Sequence, residues 1–486
     1  MAATGLAALA GIVAEFRSPL NGDAAYMLDA ARRILGGERL YTDLIDLNPP
    51  FVFWLSEPAV LASRLGLDAA DAFRVLVLGI LAGMLALAWP LTRQAPALRL
   101  GFVLFALALP LGHFGEREHL IFGLILPYVA LAAVRAEGEN PSRRLAIAAG
   151  IAAGVAMAIK PPAALAPLLI TAWPALRERS FGPFLRPEQW SAPATLAVAL
   201  GLLLAFAPDY LDAVRAFGPL YAEFSRGTLR QLLLRDIYSL SVWLALVVTI
   251  VGIGSVAPWR RVMVLALASG GFLAAAAVQG KGFGYHYFPA MGFAVVTLLE
   301  LLTAPAPAGE GRRVAVRRTL AATALLLVLV LPVIVAAERL AGKEGSDVRE
   351  RRALSGALAD LGPGAPVAII SVRLGDAYPI LLDRKWEHVL SMPHVWFTGL
   401  TDGDAERALW RRVGTDIAAG RPAAVVVRAP RAAERTRGDR EDSYLTYLCA
   451  DSAGRAAMAG YARAAHAGGY DIYRPQQEGV RACASS

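Results

Sequence analysis

The sequence predicts an α-helical polytopic membrane protein, with about eleven transmembrane helices followed by a small α/β domain on the outer face. Three observations carry this reading. Of 486 residues, 56% are hydrophobic and only 18% are charged, whereas soluble domains run near 25% charged. The apolar residues come in long blocks rather than amphipathic stripes, and about 20 apolar residues suffice to cross roughly 30 Å of hydrocarbon as a helix. After residue 338 the chain changes character, with more charge and short β-rich runs. Disorder, a coiled coil and a disulfide-rich scaffold are excluded.

In chain order, the apolar blocks fall near residues 1–16, 72–92, 98–112, 119–134, 145–159, 163–176, 191–208, 238–257, 262–279, 286–303 and 319–337. Glu15 and Arg17 close the first block early, and no basic stretch precedes it. It therefore reads as a genuine but shortened first helix rather than a cleaved signal peptide. Segment 50–66 carries Trp54 and Pro58 and is too short to span, so it is expected as an interfacial or re-entrant helix. Basic residues gather in alternate loops: Arg93 and Arg99; Arg135, Arg143 and Arg144; Arg177, Arg179 and Arg186; Arg260 and Arg261; Arg312, Arg313, Arg317 and Arg318. That bias marks the cytoplasmic side, so the N-terminus is expected in the cytoplasm and everything after 338 outside. It also accounts for the net charge of +8 without a nucleic-acid partner.

Two domains follow from this division: 1–338, transmembrane, with an outer loop at 18–50, and 339–486, the outer α/β unit. In the second, Pro366–Val372 and Ala423–Arg428 are apolar runs bounded by turn residues, the pattern of buried parallel strands. Leu354–Leu361 and Ser452–His466 read as helices. The two cysteines, Cys449 and Cys483, both lie in this unit and are expected to pair, since disulfides persist outside the cytoplasm.

Ionisable groups near membrane depth are costly and mark sites, and four outer segments concentrate them. In the first, Asn21-Gly-Asp-Ala-Ala-Tyr26 places Asp23 directly beyond the first block. Its carboxylate can take a proton from a hydroxyl or ligate a cation; the plainer role is to cap the helix at 24–35. Asp43, Asp46 and Asn48-Pro-Pro50 follow. The second, Gly112-His-Phe-Gly-Glu-Arg-Glu-His119, packs two carboxylates, two imidazoles and a guanidinium into eight residues. Either it ligates a metal, or Arg117 grips phosphate beside carboxylates that hold an acceptor, or it is a solvated turn. The third, Ala158-Ile-Lys160-Pro-Pro162, offers a lysine that either snorkels or meets a phosphate. The fourth, Gln279 to Pro289, holds Lys281, Tyr285, His286 and Tyr287 among three glycines. An aromatic belt explains the tyrosines but not Lys281. Arg226, Arg230 and Arg235 add positive charge on the same face. No phosphate-binding glycine loop, nucleophile elbow or dinucleotide fingerprint accompanies them, and no organic cofactor is expected.

An outer aspartate after the first span, then a helix, Gly36-Gly-Glu-Arg-Leu-Tyr-Thr-Asp43 and Asn48-Pro-Pro50 resemble the first loop of the GT-C superfamily of integral-membrane glycosyltransferases. The nearer branch is the bacterial one related to protein O-mannosyltransferases and the lipid A aminoarabinose transferase. The turn 116–119 looks like the second acidic motif of that superfamily, and Lys160-Pro-Pro162 matches a turn often seen there. The likeness covers roughly residues 1–300 in layout. The second motif departs from Asp-x-Asp, so a divalent cation (Mg or Mn) stays an open expectation, with Glu116 and His119 its candidate ligands.

The resemblance implies a polyprenyl-phosphate-sugar donor and transfer, with inversion, to a hydroxyl of a glycan, lipid or protein acceptor outside a bacterial inner membrane. It assigns Asp23 as general base with Glu116 beside it, and Lys160, Arg117, Lys281 and His286 to the donor phosphate. Asp43, Asp46, Glu118, His119, Tyr285 and Tyr287 are left for sugar or acceptor. A transporter or flippase for an anionic lipid or solute is the main rival, and it should line a path across the membrane with polar residues. A receptor-like anchor would need only one span.

Overall fold

Each of the eleven apolar blocks is mostly helical over its described residues in the computed structural model, which describes residues 2–110, 112–224, 226–234, 237–305, 311–341, 345–400, 403–429, 444–475 and 482–483. The helices are α1 (Ala2–Arg17), α2 (Gly22–Leu35), α3 (Phe51–Ser63), α4 (Ala69–Ala88), α5 (Pro96–Val103), α6 (Arg117–Ala136), α7 (Arg143–Ile159), α8 (Leu165–Glu178), α9 (Pro187–Phe206), α10 (Tyr210–Glu223), α11 (Leu229–Leu234), α12 (Ile237–Gly252), α13 (Trp259–Gln279), α14 (Phe288–Thr303) and α15 (Gly311–Leu340). Among the described residues, six helical stretches are long and apolar enough to cross a membrane: Ala69–Thr92, Arg117–Ala136, Pro187–Phe206, Tyr238–Ser255, Trp259–Gln279 and Gly284–Thr303.

Lipid-like surroundings give helices no hydrophobic reason to associate, so small residues that admit close backbone approach do that work. Gly150 and Gly154 of α7 supply such a seam. A Cβ on either would lie 2.6 Å from a carbonyl oxygen of α9, that of Glu188 or of Ala192. Segment 50–66 forms the thirteen-residue α3 with Pro58 inside it; Val52, Phe53, Ser56, Ala59 and Val60 are its buried residues.

The C-terminal part continues with α16 (Ser346–Ala357), α17 (Leu374–Arg384), α18 (Asp404–Gly420), α19 (Tyr444–Ala450) and α20 (Ser452–Met458) around a five-stranded sheet. Its strands are β1 (Pro366–Ile370), β2 (Glu387–His388), β3 (Ala424–Arg428), β4 (Tyr461–Ala467) and β5 (Tyr470–Pro475), in the order β2-β1-β3-β5-β4. β1 and β3 pair in parallel, Val367 opposite Ala424, and are buried as expected. Cys449 and Cys483 are joined in a disulfide, with Cα atoms 5.6 Å apart.

Two helix expectations are corrected. The one at 354–361 begins earlier, at Ser346, and ends at Ala357. The one at 452–466 stops at Met458, and Tyr461–Ala467 pairs antiparallel with β5. The hairpin turns on Gly468 and Gly469, at φ +60° and +80°. Positive φ at both central residues is the tight-turn geometry that matches strand twist, and glycine adopts it without strain.

No gap in packing separates the two parts. Loop 18–50 lies between them, and α2 rests on α17 with a Cβ added at Gly22 only 2.3 Å from the Gly375 nitrogen. Tyr26 meets Tyr378 with ring centroids 4.9 Å apart. Arg33 donates to the Leu390 carbonyl (2.9 Å), and the Ile45 N–H to that of Ser391 (2.8 Å). One apolar core runs from Phe73 and Leu81 of α4 through α2 to Val367 and Ile369 of β1.

Candidate active site

The start of α2 is fixed by Asn21. Its side-chain oxygen accepts from the Ala24 N–H (2.8 Å), and its amide donates to the Phe114 carbonyl (2.8 Å). A single residue thus caps the helix and ties it to the turn before α6. Asp23 is therefore not the cap, which corrects the plainer of its two expected roles. It sits in the first turn, with Oδ1 3.5 Å from Arg117 Nη2. Burial raises its pKa, against the pull of Arg117.

The turn 46–50 delivers the second partner of that guanidinium. Asp46 accepts from the Tyr26 hydroxyl (2.6 Å) and from the Asn48 N–H (2.5 Å), a side-chain-closed turn just ahead of two prolines. The Asn48 side-chain oxygen then accepts from Arg117 Nη1. Arg117 is held by Asp23 and Asn48, and Asp46 by contrast works one layer back.

Glu116 occupies the position before α6, and its carboxylate turns to His113 Nδ1, 2.9 Å away. Burial raises the Glu116 pKa to about 7, with His113 opposing. For His113 burial alone would act downward, but the charge and hydrogen bond of Glu116 carry it above its ordinary value. Two residues on, Glu118 Oε1 accepts from Lys160 Nζ and lies 3.9 Å from His286 Nε2. Among the described residues, Glu118 Oε2 and His286 Nδ1 are buried without a hydrogen-bond partner. Lys160 ends α7 in an extended conformation, φ −152° and ψ 101°, because the residue before proline is pushed out of the helical region. Burial lowers its pKa and Glu118 opposes this. Its ammonium lies 5.7 Å from the centroid of the Tyr285 ring, which stacks on Phe283.

The folded chain thus gathers Asp23, Glu116, Arg117, Glu118, Lys160, Tyr285 and His286 at one end of the bundle, with Asp46 behind. The other four are engaged with backbone groups instead, Lys281 still close enough for its charge to act on His286. His119 is fully buried, its Nε2 bonded to the Ala106 carbonyl (2.8 Å) and its Nδ1 accepting from the Gly115 N–H (3.1 Å). Tyr287 is also fully buried and donates to the Leu232 carbonyl (2.5 Å). Lys281 spends its donors on the carbonyls of Tyr221, Ala222 (3.3 Å) and Phe224 (2.6 Å), at the end of α10. Asp43 accepts from the Arg39 N–H (2.9 Å) in an exposed turn. Arg226 pairs with Glu223, and Arg235 lies outside the described residues. Asn21, Asn48 and His113 take parts that the sequence reading left unassigned; Asn48 ahead of Pro-Pro and His113 three residues before Glu116 were the available signals.

Among the described residues no group of three or more His, Cys, Asp or Glu side chains is placed to hold a metal ion. Glu118 faces Lys160, Asp23 faces Arg117, and both nitrogens of His119 serve the backbone. This donor set fits ion pairs rather than a Mg or Mn cage.

Fold and site together define a multi-pass helical bundle with a cluster of ion pairs at one end and an α/β unit packed on the outer loop. No family model matches the sequence, and no curated protein matches it. Among solved structures the chain is similar to ArnT from Cupriavidus metallidurans, crystallised bound to undecaprenyl phosphate: the TM-score is 0.58, identity is 14%, and 96% of each chain is covered. The helical bundle with a C-terminal α/β unit expected from the sequence is the fold observed, and it is ArnT-like.

Proposed function

We propose that the protein is a glycosyltransferase that moves a sugar from a polyprenyl-phosphate donor to an acceptor hydroxyl at the outer face of a bacterial inner membrane. The observation that carries this reading is the convergence of Arg117 and Lys160 on Asp23 and Glu118 at one end of apolar helices. An ArnT-like fold, solved in that protein with undecaprenyl phosphate, supports a polyprenyl lipid as partner. The arginine-rich alternate loops support a cytoplasmic N-terminus, with residues 339–486 outside.

In this reading the lipid lies along the helices and its phosphate meets Lys160 and Arg117. Charge builds on the leaving phosphate as the glycosidic bond breaks, so fixed cations there stabilise the transition state. Phosphate departs without a strong general acid. Asp23 deprotonates the acceptor hydroxyl, and burial makes its carboxylate a stronger base. Direct displacement inverts the anomeric centre. The unpartnered oxygen of Glu118 is free to accept from a sugar hydroxyl.

A flippase would need polar groups along the span. The stretch Leu120–Pro127 of α6 is buried and wholly apolar, which favours the enzyme. The deciding experiment supplies purified protein in nanodiscs with defined polyprenyl-phosphate sugars and an envelope extract. Release of free polyprenyl phosphate by the parent but not by Asp23→Asn supports transfer. Intact donor crossing a vesicle bilayer, with no cleavage of any donor, sinks it in favour of the flippase.

A further inference from the structure

A charged cavity of about 170 Å³ lies at the opposite end of the bundle among the ends of α6, α8, α9 and α13. It stands eighteen residues along α6 from Arg117, about 27 Å at the helical rise. Four arginines line it, Arg135, Arg177, Arg186 and Arg260, against two glutamates, Glu178 and Glu188. Glu188 is buried and pairs with Arg135 at 3.2 Å. Arg135 keeps its Nε buried with no partner. Among the described residues, Arg177, Arg186 and Arg260 have no carboxylate partner at all.

Two of these guanidiniums are held by their faces. Arg177 lies 4.9 Å from the Trp259 ring centroid and 6.0 Å from that of Trp173, and Arg260 lies 5.7 Å from Trp259. Contact with an indole face holds a guanidinium in place while its N–H groups can still meet an oxyanion. The pocket floor is already satisfied: Gln189 donates to the Tyr128 hydroxyl (2.6 Å), which is bonded to Thr171 (2.8 Å). A topology signal needs only positive charge near the membrane. It does not call for a concave site with stacked arginines, an orphaned buried N–H and acid groups that can accept from hydroxyls.

We infer that this pocket binds a phosphate ester, as in the head group of an acidic phospholipid, at a site separate from the catalytic cleft. Basic pockets between helix ends suit such head groups, and the exposed Glu178 is at hand for a glycerol-type hydroxyl. The inference stands whether or not the transferase reading does.

The test uses the full chain, delipidated in detergent, with three probes: phosphatidylglycerol, phosphatidylcholine and inorganic phosphate. Binding is read by native mass spectrometry and by the unfolding midpoint. Parent protein should retain phosphatidylglycerol and not phosphatidylcholine, and R177Q/R260Q should retain it about tenfold less or weaker. R186Q, a second variant that also spares the Arg135–Glu188 pair, should weaken it in the same direction. A midpoint raised by inorganic phosphate alone, in the parent and not in the variants, keeps the phosphate site but names free phosphate as its ligand. Equal retention of both lipids by parent and variants, with no response to phosphate, overturns the site.

Discussion

Lys160 and Glu118 form an ion pair in which one buried carboxylate oxygen takes the ammonium and the other has no hydrogen-bond partner among the described residues. A buried carboxylate with a spare oxygen is expensive unless something completes it. In the proposed reaction a donor hydroxyl does so, and the phosphate shares Lys160.

Asp23→Asn keeps the size of the side chain, and since Asn21 is the cap, helix α2 should fold unchanged. General-base assistance is typically worth about 10²–10⁴-fold in rate. The variant should bind donor normally and transfer at least about a hundredfold more slowly. Near-parental transfer in a single-turnover assay removes Asp23 from the chemistry and leaves Glu116 as the next base.

The two lysines should part company. Lys160→Ala should weaken binding of a polyprenyl-phosphate ligand by about 1–3 kcal/mol, the worth of a charge-assisted bond. Lys281→Ala should leave that affinity unchanged and lower the unfolding midpoint, because Lys281 holds the carbonyl end of α10. Titration of both variants with one ligand checks the split; equal losses of affinity would return Lys281 to the phosphate site.

Glu116 should write a pH dependence into stability. Its folded pKa, about 7, lies above the ordinary value of 4.5. Between those limits the folded protein holds a proton that the unfolded chain has released, so stability from this group is full below about 4.5 and falls as pH rises to about 7. Comparing unfolding midpoints of the parent and Glu116→Gln across that window should show a slope present only in the parent.

Chelation should leave transfer intact, since Asp23 and Glu118 already face cations. The measurement is the transfer rate after EDTA treatment, with and without added Mg or Mn. A rate abolished by EDTA and restored by either ion refutes the ion-pair reading of the donor set.

Apolar blocks, the two parallel strands and the cysteine pair were legible because each rests on composition or on a local pattern. The β4–β5 hairpin was missed: the alanines of Tyr461–Ala467 read as helix, although Gly468-Gly469 before Tyr470–Pro475 marked a tight turn. Site membership was harder. Successive residues of a helix point about 100° apart, so Glu118 and His119 face different neighbours, and the motif alone does not say which faces the cleft. Lys281 needed a fact no local pattern holds, that the end of α10 comes to rest beside it.

The close seat of α2 on α17 has a consequence for anyone recombining such chains. A methyl group on Gly22 would run into the Gly375 backbone, and Asp23 is the very next residue. The sheet-bearing part is thus the mould in which the proposed base is cast, rather than cargo carried by the bundle. A chimaera that imports residues 339–486 from a relative should inherit a misplaced carboxylate unless loop 18–50 travels with them, whereas exchanging both together should preserve the fit.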